Sequence, residues 1–590
     1  MHLAPSTAWV WLIACAVVIL FFPLAAQFGN LKGKLSSFRT WVWAIALLGI
    51  VAAGFMPFTF DPDITYFEVQ PFIFFITGIL LGVLFLGEFH RLSALDKQEH
   101  TQRVYAERRT CYSKAVEQLA YPNPAVRASA ISTLAGLVDE WLADEQLSVE
   151  ARQKEGQVIV NALCAYVRSP FARAFKAEAF ESDAPPANYA GDFDTDLAAF
   201  RGEQDVRRSV FVEMSKRSSA LAENEKGEVT VVPGAWSGFE FDFSRAVVFY
   251  PLDGLTIENA DFASATFYGP ADFSGTTFRG DTSFSAAQFT ADASFHGANF
   301  TGEVDFSDAV FSAAADFGLA SFESDANFSR LNTAGIASFT AIAFGGEALF
   351  TASTFHDEAH FATSIFNRPA VFSDSLFGGA ARFAGIATKQ SAMFLGTSFA
   401  GAADFSGASF THLANFGRAQ FDGDATFSQA SFIELPRTSY DRELPQYADF
   451  GHAAFAQDAD FSKATFTACV GFGGVTFARA VSFNGVSFEG AYFEGATFGQ
   501  RADFRQTSFM FVKPSFEALE RRLPRARFSA HANPQDYLFE ARPESPYGFS
   551  CGTATLLNRT FVLPLGTVLY DPDSWDEEKQ DYTRISGPAQ

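Results

Sequence analysis

The sequence predicts a multidomain membrane protein with three transmembrane α-helices, a small α-helical domain and a long β-solenoid. Three observations lead to this prediction: apolar runs near the amino terminus, helical spacing after them, and a phenylalanine every five or six residues from Phe262 to Phe509. The 590-residue chain contains 71 Phe residues. Such a bias in one residue type marks an internal repeat, so the repeat decides most of the fold.

The three apolar runs cover residues 9–26, 41–60 and 72–89. Each is roughly long enough to cross about 30 Å of hydrocarbon as a helix. Almost no charged residue interrupts them, which favours membrane spans over the alternative of buried core helices. Residues 1–90 are therefore predicted to form a transmembrane region.

The charges around these runs predict their orientation. The first connection contains Lys32, Lys34 and Arg39, and basic residues also follow the third run, whereas the second connection is acidic. Because positive loops stay in the cytoplasm, we expect a multi-pass membrane protein with all later residues cytoplasmic. The alternative of a cleaved signal peptide lacks the charged leader that it needs.

Residues 91–220 show the spacing of amphipathic helices and are predicted to form a cytoplasmic α-helical domain with a linker. Val126, Ala130, Leu134 and Leu137 recur on one helical face, and Pro124 suits the first turn of that helix. This segment resembles a HEAT-type unit, although one such unit cannot bury its faces by stacking.

The phenylalanine repeat has the geometry of short strands. Steps of five and six residues would place phenylalanines on opposing faces of a helix, and the intervening Ser, Gly, Thr and Asp residues are poor helix formers. The residue two before each phenylalanine is mostly Ala or Thr, as in Ala260 and Ala265. In an extended segment both side chains point to the same face. Four such sides close a coil of twenty-two residues.

Units such as 403–407 (Ala-Asp-Phe-Ser-Gly) and 408–412 (Ala-Ser-Phe-Thr-His) resemble the pentapeptide-repeat family in its phenylalanine-centred variant. The resemblance covers residues 236–510 and implies a right-handed quadrilateral β-helix with the phenylalanines stacked inside. Residues 114–119 and 165–168 are similar to membrane-tethered bacterial members, a resemblance that implies a location in a bacterial inner membrane. Residues 511–590 are expected to form a C-terminal cap and an irregular tail. The family pattern does not explain the sixth residue on alternate sides.

A coil of twenty-two residues predicts four phenylalanine columns. Columns one and three, which begin at Phe262 and Phe273, are unbroken over eight coils. Column two, from Phe267, is interrupted at Thr333, and column four, from Phe278, is interrupted at Thr388. Residues 433–449 hold an insertion at one corner, after which all four columns resume.

Two surface features are candidate partner-binding sites. The row before column one should face outward, and it contains Leu349, Val371 and Met393 on successive coils, with Leu395 beside them. An apolar stripe on a polar surface is a contact candidate, although scattered exposed apolar residues are common. The inserted loop contributes Arg437, Tyr440 and Arg442, with a tolerated surface insertion as the alternative.

No constellation in the sequence carries catalytic chemistry, and we expect no catalytic residue, cofactor or metal. The segment His356-Asp357-Glu358-Ala359-His360 lies between two repeat phenylalanines, and it lacks the helix that a zinc protease motif needs. The net charge of −24 argues against direct nucleic-acid binding. The five cysteines are too widely spaced to predict a disulfide framework or a zinc site.

These observations predict a non-enzymatic, membrane-anchored scaffold that presents a solenoid rod to an unknown protein partner. The lipid bilayer is its second expected partner, and its oligomeric state stays open. The alternative is a DNA-mimicking modulator of a topoisomerase or another nucleic-acid-binding protein, as some pentapeptide-repeat proteins are. That alternative needs a regular series of outward carboxylates. The row through Asp261, Ser283 and Asp305 is not a continuous series of acidic residues.

Overall fold

The computed structural model describes residues 77–79, 81–82, 85, 102–182, 184–223, 229–433, 448–517 and 524–590. The chain divides into two compact units, residues 1–111 and residues 112–590. In the first unit all described residues are helical. The second unit contains the remaining helices, the solenoid and the C-terminal strands.

No helix in the described part of the chain has both the length and the apolar character needed to cross a bilayer. The prediction of three transmembrane helices is therefore wrong on this finding, and so is the multi-pass inner-membrane location with a cytoplasmic solenoid. An apolar run reports composition, whereas a span requires one continuous apolar helix of about 20 residues. The runs at 9–26 and 41–60, and most of 72–89, lie outside the described residues.

Between residues 102 and 218 the structure describes four α-helices. Residues 102–119 form α1, and α2 (Pro124–Leu142), α3 (Val149–Arg168) and α4 (Phe193–Ser218) follow, with a 3-10 helix at Ala174–Phe180. The side chains of Asn123, Ser148 and Asp192 accept backbone N–H groups at the starts of α2, α3 and α4. These caps satisfy amide groups that have no partner inside the helix, so the local sequence determines where each helix begins.

A buried ion pair joins these helices. Arg207 on α4 donates to Glu203 at 2.7 Å, and it also donates to the carbonyl oxygens of Val167 and Ser169 at the end of α3. Arg127 on α2 donates to the other carboxylate oxygen of Glu203 at 2.8 Å. Because every partner is hydrogen-bonded, the buried charges lock three helices in one arrangement.

The helices cover the first coil of the solenoid. The ring of Phe211 on α4 lies 4.6 Å from that of Phe243 and 6.2 Å from that of Phe262, between ring centroids. Trp236 and Phe239 are also fully buried at this end. The helical segment therefore shields the apolar end that an isolated solenoid would expose to water.

Each coil has four short strands, most of them two residues long. A central coil contains Ala348–Leu349, Thr354–Phe355, Ala359–His360 and Ile365–Phe366. Strands of successive coils pair in parallel, as Leu349 pairs with Val371, twenty-two residues on. The column-two strands form a 14-stranded sheet and the column-three strands a 12-stranded sheet. Columns four and one share a 22-stranded sheet because the longer strands Thr465–Gly471 and Ser487–Tyr492 run through their common corner.

The corners explain the alternation of five and six residues. After columns one and three the chain makes a tight turn in which the second residue past the phenylalanine has positive φ, such as Ala352 (57°) and Gly407 (62°). The next amide donates to the phenylalanine carbonyl, as Ala408 does to Phe405 at 3.1 Å. After columns two and four the extra residue sits in an open bend whose amides donate to the preceding or following coil, as Asn367 does to Phe344 at 2.9 Å.

The phenylalanine columns form the core. Within a column the rings are nearly parallel, with Phe361 lying 4.8 Å from Phe383 at an interplanar angle of 2°. Columns one and three meet edge to face across the rod, as Phe350 and Phe361 do at 5.3 Å and 89°. Both arrangements suit the aromatic quadrupole and contribute about 0.5–1.5 kcal/mol per pair beyond area burial. The predicted stacking of the columns is confirmed.

The two threonine gaps are filled from neighbouring positions. Thr333 and Thr388 are buried, and Leu331 and Ile386, which stand two residues before them, are buried as well. At most other sides a small residue holds that earlier position, so the large and small side chains have exchanged places. Leu331 and Ile386 restore apolar volume where the phenylalanine ring is missing, while both threonine hydroxyl groups are buried without a partner.

The C-terminal segment extends the solenoid. Phe516 stacks on Phe493 at 4.9 Å and continues column one. Strands Arg527–Ser529 and Val568–Tyr570 join the column-two sheet, and Tyr537–Leu538 joins the column-three sheet. Two hairpins complete this end, Cys551–Leu556 with Arg559–Pro564 and Trp575–Asp576 with Asp581–Tyr582. Much of the tail expected to be irregular is therefore paired with the rod or with itself.

Candidate functional site

The apolar stripe, which we define as Leu349, Val371, Met393 and Leu395, lies on the column-one side near the middle of the rod. Leu349, Val371 and Met393 are adjacent in the parallel ladder, one on each of three successive coils. Their side chains are half-buried, and Leu395 is 40% exposed. About 5 Å of rise per coil makes this a continuous apolar strip of about 10 Å along the rod.

The same row is polar on both sides of the stripe, and there its side chains stabilise the turns. Asp305 and Asn327 accept the amide N–H groups of Ser307 and Ser329 at 2.9 and 3.0 Å. Asn415, directly after Met393 in the ladder, accepts the Gly417 amide at 2.8 Å.

Leucine, valine and methionine have no oxygen that could accept these turn amides. Three successive coils therefore forgo a hydrogen bond that their neighbours make, and they expose apolar surface instead. Each such hydrogen bond contributes about 0.5–1.5 kcal/mol to stability, and these three coils lack it. A row that departs from its own local pattern is a candidate for a functional contact.

The inserted loop returns to the rod on the side that carries the stripe. Residues 434–447, with the candidates Arg437, Tyr440 and Arg442, lie outside the described residues. The chain resumes at the strand Ala448–Asp449, which pairs with Ala414–Asn415, and Asn415 in turn pairs with Met393. The insertion therefore rejoins the solenoid two coils, or about 10 Å, from Met393.

The segment from His356 to His360 lies at a corner and on a short strand rather than on a helix. His360 Nε2 is 2.9 Å from Glu358 Oε2, and Arg382 of the next coil donates to the same oxygen at 2.8 Å. The hydrogen bond to His360 is the main cause that lowers the pKa of Glu358. This arrangement is a surface network in which His360 and Arg382 contact one carboxylate.

Many outward carboxylates of the rod have a structural role. Asp404 and Asp460 accept turn amides at 2.9 and 2.8 Å, while Asp325 and Asp458 accept amides of the following coil at 2.8 and 3.2 Å. These hydrogen bonds explain why aspartate recurs in the repeat, and the explanation needs no binding protein. Acidity by itself is therefore weak support for DNA mimicry.

Sequence reasoning missed one cluster, His531, Asp571 and Asp573 near the C-terminal end. Their ligand atoms all lie within 4.8 Å of one another, and they are the one group of three potential metal ligands found among the described residues. Forty residues separate the histidine from the first aspartate, and no short motif links them. The pairing of two distant strands brings them together, so spacing in the sequence could not have revealed the cluster.

Comparison with known families finds one family model that matches two parts of the solenoid. The family model described as pentapeptide repeats (9 copies) matches residues 262–310 and 461–508. The match does not reach the helical segment, and the resemblance to membrane-tethered members is not shown. Comparisons with curated proteins and with solved structures found no match.

Proposed function

We propose, since this chain is a pentapeptide-repeat protein with phenylalanine-rich repeats, that it is a non-enzymatic scaffold whose rod binds a protein partner through the apolar stripe. Solenoids of this family are generally structural or binding proteins, and a protein-interaction role follows from that class. The stripe and the partner are the parts of the proposal that require a test.

The observation that carries the proposal is the substitution of three turn-capping positions by Leu349, Val371 and Met393. The side chains are already half-buried, so full coverage by a partner adds about 1 kcal/mol for each. Together the three would contribute about 3 kcal/mol, or roughly a hundredfold in affinity. That contribution suits a hydrophobic patch surrounded by polar residues at a protein interface.

A site-specific photo-crosslinker at position 371 tests this surface. We expect it to capture one discrete partner from the native cell extract, because the side chain faces outward at the centre of the stripe. The double substitution Leu349→Asp and Met393→Asp should abolish that capture, since it leaves charges unpaired in the interface. Both replaced side chains are on the surface, so the fold should persist.

Ser338 provides the matched control. It occupies the corresponding outward position on the opposite side of the rod, in the column-three strand Ala337–Ser338. A crosslinker there should not capture the same partner. Equal capture at positions 338 and 371, or capture that survives the double substitution, would contradict the assignment of the stripe.

The DNA-mimicking alternative has weaker support. Its basis is the net charge of −24, but many rod carboxylates are engaged with backbone amides and the column-one row is interrupted by the apolar stripe. A supercoiling assay with purified gyrase distinguishes the two proposals. Inhibition that depends on rod carboxylates and persists in the stripe double variant would favour mimicry.

A further inference from the structure

The cluster of His531, Asp571 and Asp573 arises where two strands of the C-terminal end finish side by side. Strands Arg527–Ser529 and Val568–Tyr570 are parallel neighbours, and Ser529 pairs with Tyr570. His531 and Asp571 therefore leave the sheet at the same edge. Asp571 then begins the 3-10 turn Pro572–Ser574, and its Oδ1 accepts the Asp573 amide at 3.1 Å. That turn directs Asp573 back toward the histidine.

The two distances from His531 to the carboxylates are close to those between metal ligands. His531 Nε2 lies 3.1 Å from Asp571 Oδ1 and 3.8 Å from Asp573 Oδ2. Zinc bonds of about 2.0–2.2 Å in tetrahedral geometry separate ligand atoms by about 3.3–3.6 Å. The two distances from the histidine lie on both sides of that range, and all three ligand atoms lie within 4.8 Å of one another. The exposed Asp573 side chain can move to complete the set around an ion.

The surroundings favour a cation and orient one ligand. The Asp571 side chain is 1% exposed, and Arg584 donates to its Oδ2. This contact leaves Oδ1 directed at His531, as outer-sphere partners commonly orient ligating carboxylates. Two carboxylates against one arginine leave the site with a net negative charge when the imidazole is neutral, and this charge attracts a divalent ion.

We propose that His531, Asp571 and Asp573 bind a divalent transition-metal ion, with zinc as the reference ion, and that the ion fastens the C-terminal tail to the last coils. One imidazole and two carboxylates suit Zn²⁺ and other first-row divalent ions. Three protein ligands leave at least one coordination position for water. The ion would join residues of two adjacent strands, so its binding energy would stabilise this end of the rod.

Calorimetric titration of the chelator-treated full-length protein with ZnCl₂ tests the site. We expect one tight site in the wild type, weakened at least tenfold in both His531→Gln and Asp573→Asn. Asp573 is 81% exposed in its side chain, so the second variant should fold normally. Zinc should also slow hydrogen exchange at residues 527–531 and 568–571 in the wild type.

His296 serves as the matched control, because it forms a comparable pair with Asp316 at 3.2 Å and belongs to no group of three potential ligands among the described residues. His296→Gln should bind zinc like the wild type. Adventitious binding alone, with all three variants equal to the wild type, would overturn the proposal, as would the absence of a tight site in the wild type.

Discussion

Replacement of Phe361 by alanine is the sharpest test of the stacked core. Phe361 is fully buried, and its ring stacks on Phe339 at 4.9 Å and on Phe383 at 4.8 Å. It also meets Phe350 and Phe372 edge to face at 5.3 and 5.2 Å. Truncation of a buried phenylalanine costs about 3–5 kcal/mol in free energy of unfolding, and rigid two-residue strands on every side leave little room for collapse.

Each coil contacts only its neighbours, so the loss should be local. Hydrogen exchange followed by mass spectrometry should show faster exchange in the coils around residues 339–383, with coils beyond residue 450 unchanged. Phe511→Ala is the control, because that side chain is 72% exposed and its loss should change stability by less than about 0.5 kcal/mol. Unchanged exchange in the Phe361 variant would refute the stacked-core reasoning.

Three further substitutions test the filled gap, a buried acid and the helix lock. Leu331→Ala should lower the free energy of unfolding by about 2–5 kcal/mol in denaturant titrations, and adding Thr333→Phe should recover most of this loss by restoring the order of the neighbouring coils. Burial raises the pKa of Glu494, so its ionisation costs stability as pH rises through the folded-state pKa. Glu494→Gln should therefore increase Tm more at pH 7 than at pH 4, and an equal increase would contradict this cause. Arg207→Met should destabilise the helical segment by about 1.5–3 kcal/mol, because Glu203 loses one charged partner while Arg127 remains, and unchanged protease resistance there would count against the lock.

The coil length, the four columns and their gaps were predictable from the sequence because a short strand has a strict period of two. Phe262 and Ala260 must share a face, so the spacing alone determines which side chains enter the core. The same logic placed Leu349, Val371 and Met393 in one outward row. It could not show that Asp305 and Asn327 accept turn amides. Only the structure shows that the stripe residues replace side chains with this role.

The transmembrane prediction failed because it rested on composition. The composition of an apolar run shows that a segment avoids water, but it does not show whether the segment lies in lipid or packs against protein. A membrane span requires a helix of about 20 apolar residues. The conformation of the sixth residue on alternate sides could not be predicted either. An open bend and a tight turn differ in the hydrogen bonds that they make to other coils. Those hydrogen bonds depend on residues about twenty-two positions away.

By itself, then, the sequence determined the period, the inward face and the outward rows of the rod, because each follows from local strand geometry. The tertiary structure alone decided which helix covers the first coil, how Leu331 fills the gap at Thr333, and that His531 meets Asp571. Each of these depends on contacts between residues that the chain brings together only when the coils stack. Such contacts leave no regular spacing in the sequence from which they could be predicted.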